Sequence, residues 1–268
     1  MTTHSIKKLS IQVSLNGLSF CILNTASNTI VFLKTITFEQ KLTPFNVLNH
    51  LKTEINTNTI FSENFSSVTV IHQNDLSTIV PKALYNKNHN ADYLKFNSKI
   101  LRTDFITQDA ILINNSVTVY IPYVNINNYI YETFGDFTYK HSSSVLIESV
   151  LQKNKYNQNP EVYINVNTNT FELIVADKDQ LLLFNVFHYQ SKEDFIYYIL
   201  FVFEQLKLNT ETTQITLSGL IHKTDELYSS LYTYVRHVKC NNTTFSYKFT
   251  NTIDSESIQH NYLILNSF

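Results

Sequence analysis

Residues 9–23, Leu9-Ser10-Ile11-Gln12-Val13-Ser14-Leu15-Asn16-Gly17-Leu18-Ser19-Phe20-Cys21-Ile22-Leu23, are two apolar alternations separated by a turn signal. Leu9, Ile11, Val13 and Leu15 recur at every second position, the spacing that sends side chains to one face of a strand. The alternation resumes with Leu18, Phe20 and Ile22, so the stretch reads as a hairpin. Asn16-Gly17 predicts a two-residue type I′ turn, whose central residues both need positive φ. A third strand follows over Ile30, Phe32, Lys34, Ile36 and Phe38. Thr43 then stands as N-cap with Pro44 at the first helical position, and Leu48, Leu51 and Ile55, with Val47 beside them, make one apolar helix face to about Asn56. Val68 to Ile71 predicts a further strand.

The same module occurs again. Val162, Ile164 and Val166, then Thr168-Asn169, then Phe171, Leu173 and Val175 match the first hairpin at an offset of 153, and Leu181 to Tyr189 matches the third strand at 151. Ser191 and Asp194 form a capping box, after which Ile196, Ile199 and Phe203 match Leu48, Leu51 and Ile55 at 148. Ile215 to Leu217 matches Val68 to Val70 at 147. The offset shrinks only at connections, as it does between two copies of one β-β-β-α-β unit with different loops.

Between the copies lies an inserted segment at about 76–140. It reads as a strand ended by Pro81, helical turns at Lys82 to Tyr85 and Ala91 to Phe96, and a strand pair over Phe105 to Ile113 and Val117 to Ile121. A helix from Ile126 is closed by Gly135. Phe137 and Tyr139 make a short strand, and Ser142 or Ser143 caps a helix through Val145, Ile147, Val150 and Leu151. The polar stretch Asn154 to Pro160 divides an N-terminal lobe, 1–155, from a C-terminal lobe, 156–268.

Composition excludes several function classes. Only three glycines occur among 268 residues, Gly17, Gly135 and Gly219, where average usage of about 7% would give roughly 19. That leaves no P-loop, dinucleotide turn or nucleophile elbow, each of which needs clustered glycines. Twenty basic against twenty-two acidic side chains and no basic run longer than Lys7-Lys8 argue against direct nucleic-acid contact. Lys outnumbers Arg 18 to 2, and Ala, Gly and Pro are scarce too, the bias of an AT-rich genome. The N-terminal residues Met1 to Lys8 contain no apolar leader, and the longest apolar run, Phe195 to Phe203, is about half a membrane span. A cytoplasmic protein with reduced, buried Cys21 and Cys240 is expected.

The duplicated unit resembles the ribonuclease-H-like halves of the actin, hexokinase and Hsp70 ATPase superfamily. Val80-Pro81-Lys82-Ala83-Leu84-Tyr85, Val119-Tyr120-Ile121-Pro122 and Phe134-Gly135-Asp136-Phe137-Thr138-Tyr139-Lys140-His141 narrow the likeness. They resemble a bacterial family of unknown function, number 3822 among the catalogued domains of unknown function. That resemblance implies an α/β fold of two actin-like lobes, similar to pilus-assembly ATPases. It also implies a phosphate loop, Asp-x-Gly, in each hairpin. Carried over, the first hairpin offers Ser14-Leu15-Asn16 and the second Asn167-Thr168-Asn169, so both carboxylates that would orient metal or water are replaced. The adenosine-side Ser-Gly-Gly survives as Ser218-Gly219-Leu220. Ser14, Asn16, Gly17, Asn167, Asn169, Ser218 and Gly219 therefore mark a vestigial nucleotide cleft, with no catalytic residue and no metal site.

Other constellations have structural readings. His237-x-x-Cys240 is a lone His/Cys pair without the second pair a metal site needs. His141 before Ser142, Ser143 and Ser144 reads as a strand end followed by a helix cap, and Asp225-Glu226 as a helix start. The sequons at Asn64 and at Asn242-Thr243-Thr244 are expected by chance at this Asn and Thr content. The helix Ser191 to Leu206 is apolar nearly all round, which predicts burial, Tyr197 and Phe201 included. The sequence thus predicts a non-catalytic pseudo-ATPase acting on an unknown protein partner as scaffold or adaptor, with no cofactor. An ATP-binding protein with weak or no hydrolysis is the alternative, and an accessory factor in RNA or ribosome maturation the second.

Overall fold

Threonine, serine and aspartate caps, apolar alternation and turn residues divide the chain into its elements in the computed structural model, which describes residues 6–241 and 245–268. Met1–Ser5 and the Asn242-Thr243-Thr244 sequon lie outside the described residues. In chain order the elements are β1 (Lys7–Val13), β2 (Gly17–Asn24), β3 (Thr29–Thr37), α1 (Pro44–Thr57), β4 (Ser67–His72), β5 (Ser77–Pro81), α2 (Asn90–Lys95), β6 (Thr107–Ile111), β7 (Ser116–Tyr120), α3 (Val124–Phe134), β8 (Thr138–His141) and α4 (Ser142–Asn154). There follow β9 (Glu161–Val166), β10 (Thr170–Asp177), β11 (Gln180–His188), α5 (Lys192–Gln205), β12 (Gln214–Gly219), α6 (Glu226–Tyr234), β13 (His237–Cys240), β14 (Lys248–Phe249), α7 (Ser255–His260) and α8 (Tyr262–Leu265).

Two units result. The first comprises Met1–Ala110, Ser116–Val145 and Phe245–Phe268, and the second Ile111–Asn115 and Leu146–Thr244. The first unit's main sheet has the order β14-β3-β2-β1-β4-β8, with β1, β2 and β3 antiparallel and β4 and β8 parallel to β1. The second unit's sheet, β11-β10-β9-β12-β13, repeats the central order and every strand direction. The hairpins and helices that align by sequence offset are therefore equivalent in three dimensions, and the expected duplication is present.

In the first unit Leu9, Ile11, Val13, Phe20 and Ile22 are buried with Val47, Leu51 and Ile55 of α1. Thr43 Oγ1 accepts from Asn46 N (3.3 Å) and Pro44 begins the helix, as its pattern predicts. In the second unit Val162, Ile164, Phe171 and Leu173 pack with Phe195, Ile199 and Phe203 of α5. Its Ser191–Asp194 capping box closes in both directions: Asp194 N donates to Ser191 Oγ (3.1 Å) and Ser191 N to Asp194 Oδ2 (3.2 Å). Each such fully buried aliphatic side chain contributes about 1.5–3 kcal/mol.

The inserted segment forms its own sheet, β5-β7-β6, with Val80, Val117 and Val119 buried against Leu94 of α2. The C-terminal segment returns to the first unit. There β14 lies parallel to β3, and the buried α8 packs on β1 and β2.

One burial expectation fails. Tyr197 and Phe201 of α5 are 62% and 44% exposed, their rings stacked at 6.3 Å. The core takes the Phe195, Ile199 and Phe203 side of the helix and leaves this one outside, because packing against a single sheet buries only a stripe of a helix. Among the described residues no helix is long and apolar enough to cross a membrane.

Candidate functional site

The first-unit turn between β1 and β2 is Ser14-Leu15-Asn16-Gly17, centred on Leu15-Asn16, one position before the predicted type I′ turn. Val13 pairs with Leu18, Ser14 N donates to Gly17 O (3.0 Å), and Asn16 N donates to Ser14 Oγ (3.2 Å). Neither Asn16 nor Gly17 has a positive φ. Glycine is required at 17 for a different reason: an added Cβ would lie 2.5 Å from the Ile36 carbonyl oxygen of β3. Ser14 Oγ also donates to Gly17 O (3.1 Å), while the carbonyls of Leu15 and Asn16 accept from Leu42 N and Phe38 N (2.8 Å each). The loop thus offers neutral groups, and its serine hydroxyl is turned onto its own backbone.

The second-unit turn, Asn167-Thr168-Asn169-Thr170, repeats this geometry. Asn167 N donates to Thr170 O (2.8 Å), and Asn169 O accepts from Tyr189 N (3.1 Å), the counterpart of Phe38 N on Asn16 O. Tyr189 OH donates to Asn167 O (2.7 Å). Here the side chains converge on a residue the sequence reading missed. Glu172, 3% exposed on β10 directly across from Asn165 of β9, accepts from Asn165 Nδ2 (3.0 Å) and Asn167 Nδ2 (2.8 Å) on one carboxylate oxygen. Ser218 Oγ donates to Asn165 Oδ1 (3.1 Å). Gly219 follows with φ +81°, and a Cβ there would meet Val166 O at 2.2 Å and Asn165 Oδ1 at 3.0 Å. Leu220 N donates to Val166 O (2.8 Å).

The second unit therefore brings Asn167, Ser218 and Gly219 together around Asn165 and Glu172, with Asn169 joining through its carbonyl. Ser14, Asn16 and Gly17 form the corresponding loop of the first unit. The overlooked signal was a carboxylate inside the apolar run Phe171-Glu172-Leu173-Ile174-Val175, since a charge buried on a strand must find donors. In the first unit the equivalent pair is Gln12 opposite Ser19, so the buried carboxylate is particular to the second copy.

A second polar cluster lies within the first unit, where β8 meets α4. His141 Nδ1 accepts from Ser143 N (3.2 Å) and Ser143 Oγ (2.7 Å), so the imidazole, rather than a serine hydroxyl, caps the helix. With Nδ1 an acceptor, Nε2–H donates to Asn74 O (3.2 Å). Burial, reinforced by nearby His72, pushes His141 down to about 3. His72 accepts from Tyr123 N at Nδ1 (3.3 Å) and donates from Nε2 to Asn127 Oδ1 (2.9 Å); burial lowers it to about 4. Asp109 binds the backbone N of His141 (2.7 Å), Ser144 Oγ (2.8 Å) and Tyr120 OH (3.0 Å). Burial raises its carboxyl above the usual range against the pull of those bonds. A hydrolytic triad needs the carboxylate on the imidazole ring and an accessible nucleophile. Here Asp109 holds the main chain, and Ser143 is fully buried.

His237 and Cys240 stand three positions apart on β13, on opposite faces of the strand, one exposed and one buried. Both cysteines are free and buried, and burial pushes the Cys21 thiol far above its ordinary range.

The whole architecture is shared with solved structures. A Bacteroides thetaiotaomicron protein of actin-like ATPase fold and unknown function superposes with a TM-score of 0.77 at 20% identity, covering 100% of this chain and 98% of the other. A chain of the PilM-PilN type IV pilus biogenesis complex gives 0.65 at 9% identity, with 97% of each chain covered. The ethanolamine utilization protein EutJ from Carboxydothermus hydrogenoformans gives 0.52 at 7%, covering 97% and 88%. Identities this low establish the fold alone, and that fold is the actin-like ATPase fold. No curated protein sequence matches the chain. A family model described as protein of unknown function (DUF3822) matches residues 1–238, and the chain belongs to that family.

Proposed function

We propose that this protein is a non-catalytic member of the actin-like fold that works through contacts with other proteins, as a scaffold or adaptor in the cytoplasm. One observation carries the reading. At both hairpin turns, where the superfamily resemblance implies an aspartate, the chain has Ser14 and Asn167, and each side chain is already bonded within its own unit. Without a carboxylate at either position the turns themselves supply no anionic oxygen to hold Mg²⁺ and no base to orient a water, which phosphoryl transfer requires. The carboxylate beside the second turn, Glu172, is buried on β10 and takes up the Asn165 and Asn167 amides. The pilus biogenesis complex supports the protein-contact half of the proposal, since a chain of this fold there is part of an assembly.

Calorimetric titration of the full chain with Mg-ATP tests it. No saturable heat is expected up to millimolar nucleotide. Micromolar binding that weakens on Asn167→Ala would replace this reading with an ATP-binding one. Gly219 is unsuited as the control, because any side chain there displaces the Val166 backbone. Association with ribosomal RNA that persists at moderate salt would replace it with an RNA-maturation role.

A further inference from the structure

The two copies of the β-β-β-α-β unit treat the same sheet edge differently. In the first unit the outer edge of β3 is paired by β14: Lys248 N donates to Asn28 O (2.8 Å), Thr250 N to Ile30 O (3.2 Å), and Asn28 Nδ2 to Ser246 O (2.7 Å). The pairing strand is the two residues Lys248–Phe249, entered through a bend at Ser246-Tyr247, and rings stand at Phe245, Tyr247 and Phe249. In the second unit β11 occupies the equivalent edge, and among the described residues no strand pairs with its outer side.

Proteins usually blunt such edges with lysine, proline or short strands. β3 carries Lys34, paired with Glu54 of α1 at 2.6 Å. β11, Gln180-Leu-Leu-Leu-Phe-Asn-Val-Phe-His188, runs for nine residues without a Lys, Arg, Asp, Glu, Pro or Gly, and Leu182 is 46% exposed. The Lys34 and Glu54 positions are Asn185 and Val202 here, so the ion pair is gone.

The adjoining helix differs in the same sense. Phe187 of β11 stacks on Tyr198 of α5 at 4.8 Å, Tyr198 meets Tyr197 at 5.4 Å, and Tyr197 stacks on Phe201. An aromatic row thus leads from the open edge onto the exposed face of the helix. On α1 the positions equivalent to Tyr197 and Phe201 are Asn49 and Thr53. Since both copies fold alike, the fold itself does not demand the aromatic pair.

We propose that β11 is a docking edge for an extended, uncharged peptide segment of a partner protein, bound parallel to β11 with apolar side chains at every second position. Main-chain hydrogen bonds to β11 supply affinity, and Tyr197 and Phe201 read the side chains facing α5. The first unit supplies the pattern of main-chain pairing, because Lys248–Phe249 pairs in parallel with the same edge on β3. It also argues against a second copy: two β11 edges related by a two-fold axis would run antiparallel, whereas the observed pairing is parallel. The inference rests on the protein-contact reading above. If it fails while nucleotide still does not bind, this edge is excluded and that reading stands.

The test is a random dodecapeptide library displayed on phage and panned against the full-length protein, with Tyr197→Asn/Phe201→Thr as counter-target. The sibling helix carries Asn and Thr at these positions, so the double variant should unfold at the same urea concentration as the parent. Enrichment of peptides with alternating apolar residues, at least tenfold weaker binding of the synthetic hits to the variant, and amide-exchange protection confined to β11 on peptide binding are expected. No enrichment, hits that bind both proteins equally, or protection that misses β11 would overturn the proposal. So would a concentration-dependent dimer in sedimentation velocity that the double substitution dissolves, because the occupant would then be a second copy.

Discussion

Replacing Gly219 with alanine should damage the second unit more than replacing any other glycine in the chain. Two costs combine there and occur singly elsewhere. The φ of +81° strains any L-residue by about 1–2 kcal/mol. The new Cβ would stand 2.2 Å from Val166 O and 2.9 Å from Val166 N, and backbone atoms cannot swing aside. Relieving the clash separates β12 from β9. That weakens the bond of Leu220 N to Val166 O and that of Ser218 Oγ to Asn165, each worth about 1 kcal/mol. The sum is about 3–4 kcal/mol. Gly135→Ala isolates the first cost, since φ is +78° and ψ −141° there with open space around it, and should lose about 1–3 kcal/mol. Gly17→Ala isolates the second, with an ordinary φ and a Cβ 2.5 Å from Ile36 O, and should lose about 1–3 kcal/mol. Urea unfolding followed by far-ultraviolet circular dichroism and by tyrosine fluorescence reads all three, the chain having 17 Tyr and no Trp. With a slope of about 2 kcal/mol per molar urea, Gly219→Ala should lower the midpoint of its transition by about 2 M. A Gly219→Ala protein within about 1 kcal/mol of the parent, or more stable than Gly135→Ala, would refute the reasoning.

The remaining predictions concern the first unit. His72 and His141 are held neutral at about 4 and about 3, below the ordinary 6.5. The unfolded chain therefore takes up more protons as pH falls below 6.5, and the stability these histidines contribute, complete above that pH, is lost progressively down to the folded values. Stability should fall between pH 7 and pH 5, by up to about 1.4 kcal/mol per pH unit for each histidine, read as a falling urea midpoint, and His72→Gln should flatten the slope. Asp109→Asn places an amide among three donors, from His141 N, Ser144 Oγ and Tyr120 OH, and should cost about 2 kcal/mol in the same unfolding measurement at pH 7. Cys21 is fully buried on β2, and a maleimide should leave it unmodified in the native protein and label it in urea.

Much of this architecture was legible because its signals are local. The Thr43 cap, Pro44 and the Ser191–Asp194 box each complete their bonds within three residues, and the duplication rests on periodicities that two halves repeat. What escaped the sequence depends on partners far along the chain. Gly17 was read as a turn glycine because Asn16 precedes it, yet the atom that forbids a side chain belongs to Ile36. Glu172 looked like one polar position in an apolar strand until its donors, Asn165 and Asn167, came together with Ser218 and Gly219. Tyr197 and Phe201 were assigned to the core because periodicity cannot choose a buried face when every face of a helix is apolar. The pairing of β14 with β3 joins two residues to a strand more than two hundred positions away, a distance over which no local pattern carries information.

That last pairing also bears on the order of events at the ribosome. The second unit's main segment, Leu146–Thr244, is continuous, whereas the first unit lies mostly before it and needs Phe245–Phe268 to pair the edge of β3 and to cover β1 and β2. Folding during synthesis commonly proceeds from the N-terminus, domain by domain. Here the later-made unit has all its strands before the earlier one does, and the edge of β3 waits, unpaired, until Lys248–Phe249 has been made. A nascent chain stalled before Phe245 would leave the edge of β3 open as well as that of β11, and the hazard of misassembly should peak at that length.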